Sequence, residues 1–99
     1  MTVYRRRIYN NGQISVPKKV QNLLNLKDGD LLFIDILDKS IIIIANHDNK
    51  NLNQCYLSRN RISIPKEIRN ILGITSDTPL IMGITDDEKG IFIHIETGK

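Results

Sequence analysis

The chain of 99 residues has no tryptophan, five aromatic rings, three prolines and one cysteine. The single Cys55 excludes an intrachain disulfide framework, and its simplest role is a small, half-buried strand residue in a reducing compartment. No apolar run exceeds the five residues 41–45, far short of the roughly 20 needed to cross a bilayer. Arg5, Arg6 and Arg7 have no apolar stretch behind them, so the N-terminus is not a signal peptide. The expectation is a cytoplasmic protein. Catalytic patterns are also missing: no phosphate-binding P-loop, no dinucleotide glycine fingerprint and no HExxH. His47 and His94 lack Cys or His partners at ligand spacing, so no metal and no cofactor are expected. Ser15 and Ser63 each stand one residue ahead of a Val-Pro or Ile-Pro pair, which suits a strand-to-helix turn better than a nucleophile. An enzyme is not expected.

What is present is a repeat. Residues 13–26, QISVPKKVQNLLNL, return at 61–74 as RISIPKEIRNILGI. Over the 26 aligned positions 13–38 and 61–86, nine residues are identical. Most of the other apolar positions exchange Val, Ile, Leu, Phe and Met, swaps a packed core tolerates. Two copies are too few for a solenoid and fit a two-fold pseudosymmetric body. The units are 1–46 and 53–99, joined by 47–52. The polar, Asn-rich stretch from Asn46 to Asn51 reaches at most about 20 Å when extended, which holds the units side by side.

Each unit reads β-β-α-β-β. YRRRIY (4–9) and QCYLS (54–58) are strands, followed by tight turns at 10–12 and 58–60. Gly12 and Asn60 align there, and both residue types accept positive φ. A short strand leads to Pro17 or Pro65, each suited to the first helical position. Val20, Leu23, Leu24 and Ile68, Ile71, Leu72 then have the spacing of a short helix burying one face. Gly73 is a helix stop. Strands at 31–37 and 80–85 follow, then 40–46 and 90–96. The run Ile41–Ala45 predicts a strand covered on both faces.

Charge is polarised in the same way twice. Residues 1–27 carry Arg5, Arg6, Arg7, Lys18, Lys19 and Lys27 and no acid, whereas 28–50 hold five acids against two bases. Residues 51–75 have Arg59, Arg61, Lys66 and Arg69 against Glu67 alone, and 76–99 have five acids against two bases. The formal net charge is only +3, so the placement carries the signal. A module basic on its first hairpin and helix presents a face for a polyanion, nucleic acid first.

The pattern Gly12, Ile14, Val16, Pro17, Val20, Leu24, Leu26, repeated as Asn60, Ile62, Ile64, Pro65, Ile68, Leu72, Ile74, resembles the AbrB/MazE/SpoVT swapped-hairpin DNA-binding family. The resemblance implies a mainly β fold with two short helices, a swapped-hairpin (double-split) β-barrel built here from both repeats of one chain. It implies a double-stranded DNA partner, a nucleoid-associated transcription regulator, and self-association as an intrachain pseudo-dimer or a dimer of chains. The family's DNA-contacting positions fall on Arg6 and Arg7 in the first strand, with Gln54 and Cys55 as their matches. They fall on Gln13 and Arg61 at the second strand, and on Gln21, Asn22, Arg69 and Asn70 in the helices. With the neighbouring bases, the implied DNA-binding set is Arg5, Arg6, Arg7, Gln13, Lys18, Arg59, Arg61, Lys66 and Arg69. The bases are split between the copies rather than duplicated, so the two halves would read different bases of a target. The alternatives are the antitoxin of a toxin–antitoxin pair and a protein–protein adaptor. The family's antitoxins continue into a disordered tail that wraps the toxin; Lys99 follows directly on the last strand, which weighs against the antitoxin.

Overall fold

The computed structural model describes residues 3–96. The elements are β1 (Tyr4–Arg6), β2 (Gln13–Ser15), α1 (Lys18–Leu23), β3 (Leu31–Leu37), β4 (Ser40–Ile44), β5 (Asn53–Tyr56), β6 (Arg61–Ser63), α2 (Lys66–Leu72), β7 (Leu80–Ile84) and β8 (Gly90–Ile95). All strand pairs are antiparallel. Six strands form one sheet in the order β1-β7-β8-β4-β3-β5, and β2 with β6 forms a separate two-stranded ribbon. The protein is mainly β with two short helices, as the sequence implies. The six-stranded sheet is not closed on itself: it has two edges, β1 and β5.

Strands from the two halves of the chain pair with each other. β1 lies on β7, with Tyr4 opposite Met82 and Arg6 opposite Leu80. β5 lies on β3, with Leu31 opposite Tyr56 and Ile34 opposite Asn53. β4 and β8 meet in the middle of the sheet, Ile42 opposite Phe92. In the ribbon Ile14 faces Ile62, both fully buried. The core gathers Ile8, Ile14, Val20, Leu32, Ile34, Ile41, Ile43, Leu57, Ile62, Ile68, Met82, Ile91 and Ile93 from both halves.

Three local expectations are corrected. β4 alternates, with Ile41 and Ile43 buried and Ile42 and Ile44 half-covered, because one sheet face meets the ribbon and helices and the other is only partly covered. Pro17 and Pro65 are N-caps rather than first helical residues, with ψ of 142° and 146°. Their carbonyls accept the first helical bonds, from Gln21 and Arg69. The helices bury less than their spacing suggests: Val20 and Ile68 are buried, but Leu23 and Ile71 are 66% and 65% exposed. Helices of six and seven residues make fewer than two full turns, so one apolar residue faces the core and the next turn points away.

Turn chemistry fixes the hairpins. Asp38 and Lys39 link β3 to β4 with φ of 50° and 69°, both left-handed, as a two-residue turn requires. Asp87 organises the longer β7–β8 turn, its Oδ1 accepting from Thr85 Oγ1 (2.6 Å) and the Lys89 amide (3.0 Å). These two donors hold the Asp87 carboxyl below the usual carboxylate range. Gly73 ends α2 in the left-handed conformation, as expected.

Gly90 allows β8 to approach β4. A Cβ there would come within 2.5 Å of Ile44 Cγ2 and 2.7 Å of the Ile43 carbonyl oxygen. The backbone oxygen cannot rotate away, so Gly90→Ala lowers unfolding free energy by about 1–3 kcal/mol. A urea titration of the variant measures the loss; an unchanged midpoint would show that β4 and β8 are looser than described.

Candidate nucleic-acid interface

The ribbon orders the site. With Ile14 and Ile62 turned inward, Gln13, Ser15, Arg61 and Ser63 alternate to the other face, Gln13 opposite Ser63 and Ser15 opposite Arg61. The ribbon ends are closed by the partner hairpin: Val16 N donates to Asn60 O (2.8 Å) and Ile64 N to Gly12 O (2.9 Å). Each end therefore places one hairpin turn beside the start of the other half's helix. Asn60 is bonded to Val16, just ahead of Pro17, and Gly12 to Ile64, just ahead of Pro65.

Arg61 is the most constrained exposed base. Its guanidinium sits over the Tyr9 ring at 4.7 Å, and Nη1 reaches Gln13 Oε1 at 3.4 Å. Stacking orients the planar fork without consuming most of its donors. Sequence reasoning missed Tyr9; an aromatic flanking the basic run was the available signal. Arg59 holds φ of 53° in a two-residue turn with Asn60 at 65°. Its amide donates to Asp28 Oδ1 at 2.6 Å, so the acidic turn fixes the backbone of a basic one and leaves the guanidinium exposed.

Arg6 is half-buried and partly committed. Its Nε donates to Ser15 O (3.3 Å), Nη1 to Arg5 O (2.9 Å), and its Cζ lies 5.6 Å from the Tyr4 ring centroid. Arg7, Lys18 and Lys66 are exposed. Arg5 is exposed but paired, Nη2 to Glu96 Oε2 at 3.1 Å. Arg5–Glu96 is the one ion pair among the described residues, so the remaining bases of the set have no carboxylate neutralising them.

The helix positions have structural duties. Gln21 is 3% exposed, and its Nε2 donates to Val16 O (2.9 Å) and Asn60 Oδ1 (3.1 Å). Arg69 Nε donates to Ile64 O at 3.0 Å. Both side chains tie down the carbonyl preceding a helix-capping proline.

The first-strand alignment shifts by one residue. Ile8 and Leu57 are both buried, and Arg6 matches Cys55 rather than Gln54. The cause is turn length: Asn10–Gly12 separates Tyr9 from Gln13, with Tyr9 N bonded to Gln13 O, whereas only Arg59 and Asn60 separate Ser58 from Arg61. Arg6 reaches the Ser15 backbone, and Cys55 faces the Ser63 backbone at the matching place. Burial pushes the Cys55 thiol up to about 11, offset in part by the Ser63 backbone. In the folded protein Cys55 therefore resists alkylation at pH 8 and reacts at a free-thiol rate only in denaturant; equal rates in both conditions would contradict its burial.

The arrangement is an antiparallel ribbon with turns and helix starts presenting unpaired bases. Residues 5–51 match the sequence model of the family described as antidote-toxin recognition MazE, bacterial antitoxin. That match runs from within β1 through β4 and the segment beyond it, just under half of the chain. A solution structure of PHS018 from Pyrococcus horikoshii is similar with a TM-score of 0.55 and 14% identity, covering 95% of this chain and 87% of that one. At that identity the likeness concerns the fold alone. No curated protein matches the chain. Among the described residues no helix is long and apolar enough to cross a membrane.

Proposed function

We propose that the protein is a double-stranded DNA-binding transcriptional regulator whose contact surface is the outer face of the β2–β6 ribbon with its flanking turns and helix starts. The observation that carries this reading is the set of bases there without a carboxylate partner. Arg7, Lys18, Arg59, Arg61 and Lys66 supply exposed charge, Gln13 a polar reader, and Arg5, Arg6 and Arg69 share their guanidinium groups with the protein itself. Phosphate neutralisation by such a set gives affinity that falls with salt, and stacked Arg61 is the candidate for a base edge.

The same proposal treats 1–46 and 53–99 as two AbrB-like repeats closed on one another through the 47–52 linker, an intrachain pseudo-dimer with exchanged first strands. Registers support it. Exchanging the halves turns the order β1-β7-β8-β4-β3-β5 into its own reverse. The ribbon pairs Gln13–Ser63 and Ser15–Arg61 also exchange into each other about Ile14–Ile62. The bases are not duplicated across this axis: Arg61 matches Gln13, and Arg6 matches Cys55. The target on this reading is asymmetric rather than palindromic.

Fluorescence anisotropy with duplexes from the gene's own upstream region, beside a scrambled duplex, tests the reading over a salt series. Tight, sequence-dependent binding that weakens with salt is expected. Absence of binding at low salt would remove the DNA assignment. The second reading, an antitoxin, is favoured by the family match over residues 5–51; it predicts that a neighbouring toxin co-purifies with the protein.

A further inference from the structure

Gly12 and Asn60 hold matching left-handed positions, with φ of 90° and 65°, and each faces a helix residue of the other half. Asn60 faces Gln21, which donates to its Oδ1 at 3.1 Å while also holding Val16 O. Gly12 faces Arg69: a Cβ on Gly12 would stand 3.0 Å from Arg69 Nη2 and 3.1 Å from Cζ. Arg69 holds Ile64 O just as Gln21 holds Val16 O. The longer side chain thus lies where the turn has no side chain, and the shorter one lies where the turn supplies an amide.

We infer that these two pairs, Gly12 with Arg69 and Asn60 with Gln21, form a size-matched lock that makes each half of the chain accept the other half and reject a second copy of itself. The inference rests on the intrachain pairing proposed above and adds the residues that specify it. Were two first halves to pair, Gln21 would face Gly12, leaving its buried amide without the Asn60 acceptor. Were two second halves to pair, the Arg69 guanidinium and the Asn60 side chain would claim one space. Both mismatches penalise the wrong partner rather than strengthen the right one.

The test exchanges the keys within the full chain. The variant Gln21→Arg/Arg69→Gln keeps the composition and places arginine against Asn60. It is expected to melt at least about 5 °C lower than the unaltered protein, and to gain a two-chain species by light scattering as concentration rises. Adding Asn60→Gly removes the obstruction and raises the midpoint. In the unaltered protein Asn60→Gly removes the Gln21 partner and lowers it. This reversal of sign is the signature; a general cost of glycine would have the same sign in both backgrounds. The same sign in both, or an exchanged variant with an unchanged midpoint and one-chain mass, would overturn the lock. A two-chain mass for the unaltered protein would instead overturn the intrachain pairing, while the sign comparison would still read the lock at an interface between chains.

Discussion

Ile62→Ala lowers the unfolding free energy by about 3–4 kcal/mol, the range for emptying a buried aliphatic site with little room to collapse. Ile62 is 1% exposed and opposes Ile14, which is fully buried. The ribbon has only three paired positions, and Ile14–Ile62 is the one turned into the core. Removing three carbons there opens a cavity against both halves of the chain at once. For a domain of this size the loss corresponds to a fall of roughly 15–25 °C in Tm. Leu23→Ala is the contrast. The same chemical truncation at a residue 66% exposed changes stability by no more than about 0.5 kcal/mol. Urea titrations of both variants decide the matter. Similar small losses in both would mean that the ribbon is not the seam of the core.

The triple variant Arg7→Ala/Arg59→Ala/Arg61→Ala loses duplex affinity by on the order of a hundredfold, since charge-assisted contacts are worth more than neutral ones. Its log–log salt slope becomes shallower by about three, close to one for each phosphate contact removed. None of the three has a carboxylate partner among the described residues, so truncation leaves no buried charge behind and stability holds. Arg61→Lys separates the two roles of that residue. Lysine keeps the charge and so the slope, but lacks the planar fork that lies over Tyr9. Preference for the cognate duplex over the scrambled one falls if Arg61 meets a base edge, and is unchanged if it meets phosphate. A triple variant with unaltered affinity and slope would place the DNA surface elsewhere.

Much of this architecture was legible along the chain, for identifiable reasons. Alternation and β-branching marked the strands, and Pro17 and Pro65 marked the helix starts within one residue. Gly12, Asn60 and Gly73 marked left-handed turns, because few residue types accept that backbone. The exposed bases were legible as a cluster, since charge is local information. Other features were not. Leu23 and Ile71 carry a core-like spacing yet face outward, because a helix of under two turns meets its neighbours along one side only. Gln21 falls on a DNA-contacting position by resemblance yet is buried, because its partners Val16 O and Asn60 Oδ1 come from different parts of the chain. Tyr9 became part of the site only when Arg61, 52 positions away in sequence, was brought over its ring.

The sequence by itself determined the element types, their order and the sign of each charged stretch. These depend on neighbours a few residues apart: side-chain period, turn propensity and fixed charge. Tertiary structure alone decided which strand pairs with which, that the sheet stays open at β1 and β5, and that Arg6 rather than Arg7 matches Cys55. It also decided that Arg69 lies against Gly12 while Gln21 takes Asn60. Those outcomes depend on register and on side-chain volume across an interface between distant segments. A one-residue difference in turn length, or the absence of one Cβ, is enough to set them.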